Sequence, residues 1–184
     1  MRKVLFLFGQ LNDDDVEWML TAGAKRFVPA EGVLIQQGVP VDAVFILLEG
    51  TLAVWLQSRR GPERELARLS AGEIVGEMSF VDARPPSATV KALEDSTVFA
   101  LSKATLNRKL AADSGFAARF YRALAIYLST TVRERHRDLG TGVGGDGDAE
   151  EEEDDADELD PNVLDGVYLA GERFDRMVKR VMVS

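Results

Sequence analysis

Two neighbouring stretches decide how this chain folds: Gly72-Glu73-Ile74-Val75-Gly76-Glu77-Met78-Ser79-Phe80 and, shortly after, Arg84-Pro85-Pro86-Ser87-Ala88-Thr89-Val90. Glycine lets backbone N–H groups approach an anion closely, and a short helix following it offers unpaired N–H donors at its N-terminus. Glu77 adds a carboxylate that can accept hydrogen bonds from a sugar hydroxyl. The pattern reads as a cradle for a nucleotide phosphate held between two strands. This is binding chemistry, with no nucleophile or metal-ligand cluster attached.

Working outward, residues 24 to 102 are short apolar runs punctuated by glycine. Strands are expected at Lys25 to Val28, Val33 to Gln36, Ala43 to Leu48, Thr51 to Gln57, Glu65 to Leu69, Ser87 to Ala92 and Thr97 to Leu101. Strands this closely spaced predict a jelly-roll or sandwich, with Ser58-Arg59-Arg60-Gly61-Pro62 as a hairpin tip. Upstream, Asn12 followed by Asp13, Asp14 and Asp15 is an N-cap with acids in the first turn, predicting a helix to about Ala22 with Trp18 and Met19 on its buried side. Downstream, Ser102 caps a helix over Lys103 to Ala112 and Asp113 caps a longer one. In the second, Phe116, Phe120, Leu124, Tyr127, Leu128 and Thr131 form a helical stripe up to about Arg137.

The same residues resemble the cyclic nucleotide-binding domain shared by catabolite activator proteins, protein kinase regulatory subunits and cyclic-nucleotide-gated channels. Leu34-Ile35-Gln36-Gln37-Gly38, Asp42, Phe45-Ile46-Leu47 and Gly50 look like that family's strand and hairpin positions, and 72–90 looks like its phosphate-binding cassette. The resemblance covers about Phe6 to Leu139. It implies a mainly β fold with flanking helices, a double-stranded β-helix or jelly-roll, binding cyclic AMP or cyclic GMP without a metal. The implied ligand residues are Gly76, Glu77, Met78, Ser87, Ala88 and Thr89, with Glu77 on the ribose 2′-hydroxyl. Thr130 and Thr131 fall where catabolite activator proteins carry a base-contacting hydroxyl, or they simply cap or line a dimer seam.

One position departs from the family. Its phosphate-pairing arginine would fall at position 86, where this chain has Pro86, which supplies neither a guanidinium nor a backbone N–H. Losing one partner of a buried charge pair costs about 2 to 5 kcal/mol, roughly a thirtyfold to several-thousandfold loss of affinity. Arg84 is the nearby substitute, although Pro85 biases it toward extended geometry on a surface loop.

Composition sets further bounds. At 184 residues and 46% apolar content the chain holds one domain with a core plus an appendage. There is no cysteine and His136 is the only histidine, which excludes thiolate metal sites, cysteine nucleophiles and histidine-pair catalysis. The chain is therefore read as non-enzymatic and cytoplasmic. Arg2 to Phe8 is read as a packed element, because its apolar run is too short for a signal peptide or a membrane span.

The net charge of −9 is concentrated: 146–160 holds 11 of the 31 acids and no Lys or Arg, leaving 20 acids against 22 basic residues, a net of +2. Three regions follow: a cyclic nucleotide-binding-like domain over 1–139, an acidic disordered linker over 140–160, and an amphipathic tail helix over 161–184. Val163, Val167, Ala170, Phe174, Met177, Val178 and Val181 form the tail stripe. That helix either docks on a partner or folds back on its own domain. The acidic run argues against DNA as a partner, and no helix-turn-helix follows Arg137. Two readings stand. One is a regulatory sensor signalling through the long helix or the tail helix, with a homodimer as one arrangement; the other is a degenerate fold serving as a ligand-independent interaction or scaffold module.

Overall fold

In a computed structural model, residues 4–58, 61–140 and 161–183 are described, with side chains at all but 134–140 and 161–167. The acidic linker and the arginines of the hairpin tip lie outside the described residues. Two helices lead in, α1 (Val4–Gln10) and α2 (Asp13–Ala22). Asn12 and Asp15 form a reciprocal capping box: the Asp15 N–H donates to Asn12 Oδ1 at 2.9 Å and the Asn12 N–H to Asp15 Oδ2 at 3.0 Å.

Eight strands follow among the described residues: β1 (Ala24–Val28), β2 (Val33–Ile35), β3 (Ala43–Glu49), β4 (Leu52–Leu56), β5 (Arg64–Leu69), β6 (Ile74–Val75), β7 (Thr89–Ala92) and β8 (Ser96–Ser102). They form two antiparallel four-stranded sheets, ordered β1-β8-β3-β6 and β2-β7-β4-β5. The helix α3 (Met78–Val81) interrupts the run between β6 and β7, and α4 (Lys103–Ala112), α5 (Ser114–Gly140) and α6 (Pro161–Val183) complete the chain. No described helix is long and apolar enough to cross a membrane.

The jelly-roll expectation holds, and β3 shows why its sequence is an unbroken apolar run. Phe45 and Leu47 point into the core between the sheets with Leu34, Leu52, Val90 and Val98, while Ile46 and Leu48 point the other way into a core shared with the helices. Strand β8 divides in the same way, Val98 inward and Phe99 and Leu101 toward the helices.

Beyond one-residue shifts at strand ends, three features differ from the sequence reading. The two-residue β6 sits inside the quoted glycine-rich stretch, paired to Phe45 and Ile46, and was too short to announce itself. Ser87 and Ala88 lie outside β7, whose pairing to β2 begins at Val90. Helix α5 runs on to Gly140. The tail helix folds back: Ala170, Phe174, Met177 and Val181 are buried in the helical core, chiefly against α1.

Candidate functional site

The cassette begins at Gly72, whose N–H donates to the Leu47 carbonyl at 2.8 Å and whose carbonyl accepts from the Val4 N–H at 2.7 Å. Strand β6 then runs into Gly76, which has φ 87°. A Cβ there would stand 2.8 Å from the Ala43 carbonyl oxygen, so both conformation and space require glycine. Glu77 follows in helical conformation at the start of α3, half-buried, and the Phe80 N–H closes the turn on the Gly76 and Glu77 carbonyls at 3.1 and 3.0 Å. Met78 is exposed, Ser79 is buried, and Phe80 turns toward α5.

The exit from α3 is polar and exposed. Ala83 takes φ 57°, and the Arg84 N–H donates to Asp82 Oδ1 at 3.0 Å. The Arg84 side chain is 84% exposed, with Nε 3.9 Å from Asp82 Oδ2. The structure thus sets this guanidinium on the solvent side of the loop. Burial lowers the Lys103 ammonium below the ordinary lysine range, and the neighbouring Asp82 and Asp42 oppose that shift.

Beyond Arg84 the chain is fastened to the loop after β2. The Pro86 carbonyl accepts from the Gly38 N–H at 2.8 Å. The Thr89 hydroxyl oxygen, buried, accepts from the Gln37 N–H at 3.1 Å and from Gln36 Nε2 at 3.4 Å. Gln37 in turn exchanges two hydrogen bonds with the Gln57 backbone at the end of β4, at 2.9 and 3.3 Å. Ser87 is exposed and Ala88 half-buried. Gln36 and Gln37 are the organising residues that sequence reasoning saw only as strand matches.

The cassette also touches the long helix. Phe80 meets Phe120 edge to face, and the buried Tyr127 hydroxyl donates to the Ile74 carbonyl at 3.2 Å. Thr130 and Thr131 each donate at 3.0 Å to a carbonyl one turn back, those of Ile126 and Tyr127, so both hydroxyls are engaged within α5. A cleft of about 200 Å³ opens beside β2, lined by Arg26, Ile35, Gln36, Pro40, Asp42 and Phe45 among others; it shares Gln36 with the Thr89 contact but none of its lining residues belongs to 72–90. The Arg26 guanidinium lies over the Phe45 ring there, 5.7 Å from its centroid. No group of three or more His, Cys, Asp or Glu side chains placed to hold a metal occurs among the described residues.

Two antiparallel sheets with a glycine-elbowed turn and a short helix inserted between β6 and β7 make up the roll. Residues 25–113 match the family model of the cyclic nucleotide-binding domain. A cAMP-dependent protein kinase regulatory subunit from Blastocladiella emersonii is 29% identical over 136 residues, 72% of this chain and 34% of that protein. A cyclic AMP receptor protein from Thermus thermophilus is 33% identical over 95 residues, 52% of this chain and 44% of that one. The chain thus spans between a third and a half of the length of these relatives. Among solved structures, a cyclic nucleotide-binding domain from Methylobacillus flagellatus superimposes with a TM-score of 0.68 at 23% identity, covering 78% of this chain and 84% of that chain.

Proposed function

We propose that this chain is a non-catalytic regulatory module that senses a cyclic nucleotide weakly and passes its occupancy to a protein partner. The Gly76 to Met78 backbone and the Ser87 to Thr89 segment face the cyclic phosphate, and Glu77 takes the ribose hydroxyl. Arg84 supplies what cationic help there is, and Thr130 or Thr131 lies toward the base. The observation that carries the reading is the cassette's mechanical connection: α3 and β6 are joined to α5 through Phe80–Phe120 and Tyr127–Ile74. A ligand that tightened the cassette would shift the population of α5 positions and so change the surface offered to a partner.

One observation favours the ligand-independent scaffold instead, namely Pro86 at the anchoring position with the Arg84 side chain turned to solvent. Calorimetric titration with cyclic AMP and cyclic GMP to millimolar concentration, paired with thermal melts, separates the two. Saturable heat with a rising Tm supports the sensor. Absence of heat with an unchanged Tm rejects it and leaves the scaffold.

A further inference from the structure

The tail helix is seated in an unusual way. Its apolar stripe, Ala170, Phe174, Met177 and Val181, lies on α1, with Phe174 6.4 Å from Phe8 between ring centroids. Its polar fastening is concentrated in Arg173. Arg173 Nη1 donates to the carbonyls of Phe8 and Leu11, both at 2.8 Å, and Nε donates to Asp13 Oδ1 at 2.8 Å. One guanidinium therefore caps the C-terminal end of α1 and the acidic first turn of α2 at once, and Arg180 adds an ion pair to Glu17. The Asp13 carboxyl is held below its ordinary range by the hydrogen bond and charge of Arg173.

Against this good seat stands a helix built to be marginal. Gly171 lies between the buried Ala170 and the clamping Arg173, and a Cβ at Gly171 would meet nothing within 4 Å. Its absence gains no close packing, while glycine inside a helix weakens it relative to alanine. The polar part of the contact is replaceable on opening: the Asp13 side chain is already 65% exposed, and the Phe8 and Leu11 carbonyls that Arg173 holds become reachable by water once α6 has left.

We propose that α6 is a reversible latch on the α1–α2 elbow, whose opening uncovers α1. The position of α1 gives the latch a consequence. It packs between α5 and α6, and its first amide, that of Val4, bonds the Gly72 carbonyl at the mouth of the cassette. Opening α6 therefore loosens the most extensive packing of the helix that braces the cassette loop. The latch does not depend on nucleotide binding, so a chain that ignores cyclic AMP can still possess it.

Amide hydrogen exchange on the full chain tests the proposal. The amides of 168–183 should exchange through an opening that leaves β3 and β8 protected. Arg173→Ala should speed their exchange at least tenfold and expose α1 without changing β3 and β8, since hydrogen bonds to charged groups are lost. Gly171→Ala should slow it about fivefold. The proposal is overturned if wild-type 168–183 exchanges only together with β3 and β8, or if Gly171→Ala leaves its exchange unchanged. It is equally overturned if Arg173→Ala accelerates the whole molecule by one common factor.

Discussion

Phe80 on the short α3 and Phe120 on the long α5 meet edge to face, with ring centroids 5.9 Å apart and planes at 86°. Phe120 also stacks on Phe116, at 5.6 Å, so the cassette leans on an aromatic column rather than on one side chain. Edge-to-face pairs contribute about 0.5 to 1.5 kcal/mol beyond the area they bury. A double-mutant cycle of Phe80→Ala and Phe120→Ala, read by urea denaturation, should return a coupling energy in that range. Strict additivity would mean that α3 and α5 are neighbours without being mechanically joined.

The two loop glycines at 38 and 76 share a positive φ but not an environment. At Gly38, φ 76°, an added Cβ meets nothing within 4 Å, whereas at Gly76 it meets the Ala43 carbonyl oxygen at 2.8 Å. Gly38→Ala should therefore lose only the conformational term, about 1 to 2 kcal/mol. Gly76→Ala should lose that and a further about 1 to 3 kcal/mol as β3 is pushed aside. Equal losses in chemical denaturation would show that β3 yields freely to the cassette.

Arg119 grips Asp15 with two hydrogen bonds, Nε at 2.6 Å and Nη2 at 2.8 Å, tying α5 to the start of α2. Burial pushes the Asp15 carboxyl up, but the hydrogen bonds from Arg119 and the Asn12 N–H outweigh it and hold it below its ordinary value. A carboxyl lowered on folding stabilises the protein above its unfolded pKa, near 3.9, and the contribution fades as pH falls through the folded value. Arg119→Ala should cost about 2 to 3 kcal/mol at pH 7, since it strands a carboxylate that is only 3% exposed. Urea midpoints should show that the difference from wild type shrinks by pH 3; a difference that does not change with pH would mean that packing, not charge, is lost.

Local signals in the sequence were strong where one residue type has one use. Asn12 and the three aspartates gave the α2 cap, and Ser102 and Asp113 gave the starts of α4 and α5, with the Thr105 and Phe116 N–H groups donating to them at 3.2 and 2.8 Å. The cassette was legible because its glycines admit few other backbones. What stayed hidden was relational. Nothing local to Gln36 and Gln37 says that they would hold Thr89 and Gln57, and nothing announces the positive φ of Ala83, although the prolines after Arg84 already placed that arginine on a surface loop. The tail stripe predicted a buried face without saying against what, because an apolar stripe has no address until an element such as α1 supplies carbonyls for Arg173.

Trp55 carries a buried indole N–H that finds no acceptor among the described residues. Its ring lies on the outer side of β4, with the Lys91 ammonium 5.5 Å from its centroid, and Lys91 is paired to Glu63 at 2.8 Å. An unpaired buried donor is unfavourable by about 1 to 3 kcal/mol, while a phenyl ring keeps most of the contact and cation–π attraction. Trp55→Phe should therefore leave the Tm unchanged or raise it. A marked fall in Tm would show that the indole N–H has found an acceptor, such as an ordered water.

Position 86 offers the most direct test of what the cassette lacks. The Pro86 carbonyl bonds the Gly38 N–H, a link that any residue at this position preserves, and nothing is required of its own missing N–H. Pro86→Arg should therefore keep the loop in place while adding a guanidinium where the resemblance to the family expects one. If a cyclic phosphate sits among the Gly76 amides, cyclic AMP affinity should rise by roughly thirtyfold to several-thousandfold, the reverse of losing one side of a buried charge pair. Arg84→Ala in the same calorimetric series measures what the native loop contributes, and unchanged affinity there removes Arg84 from the site. If Pro86→Arg folds with a wild-type Tm and binds no better, the cassette does not present its amides to a phosphate, because a correctly placed cation would then have had an anion to pair with.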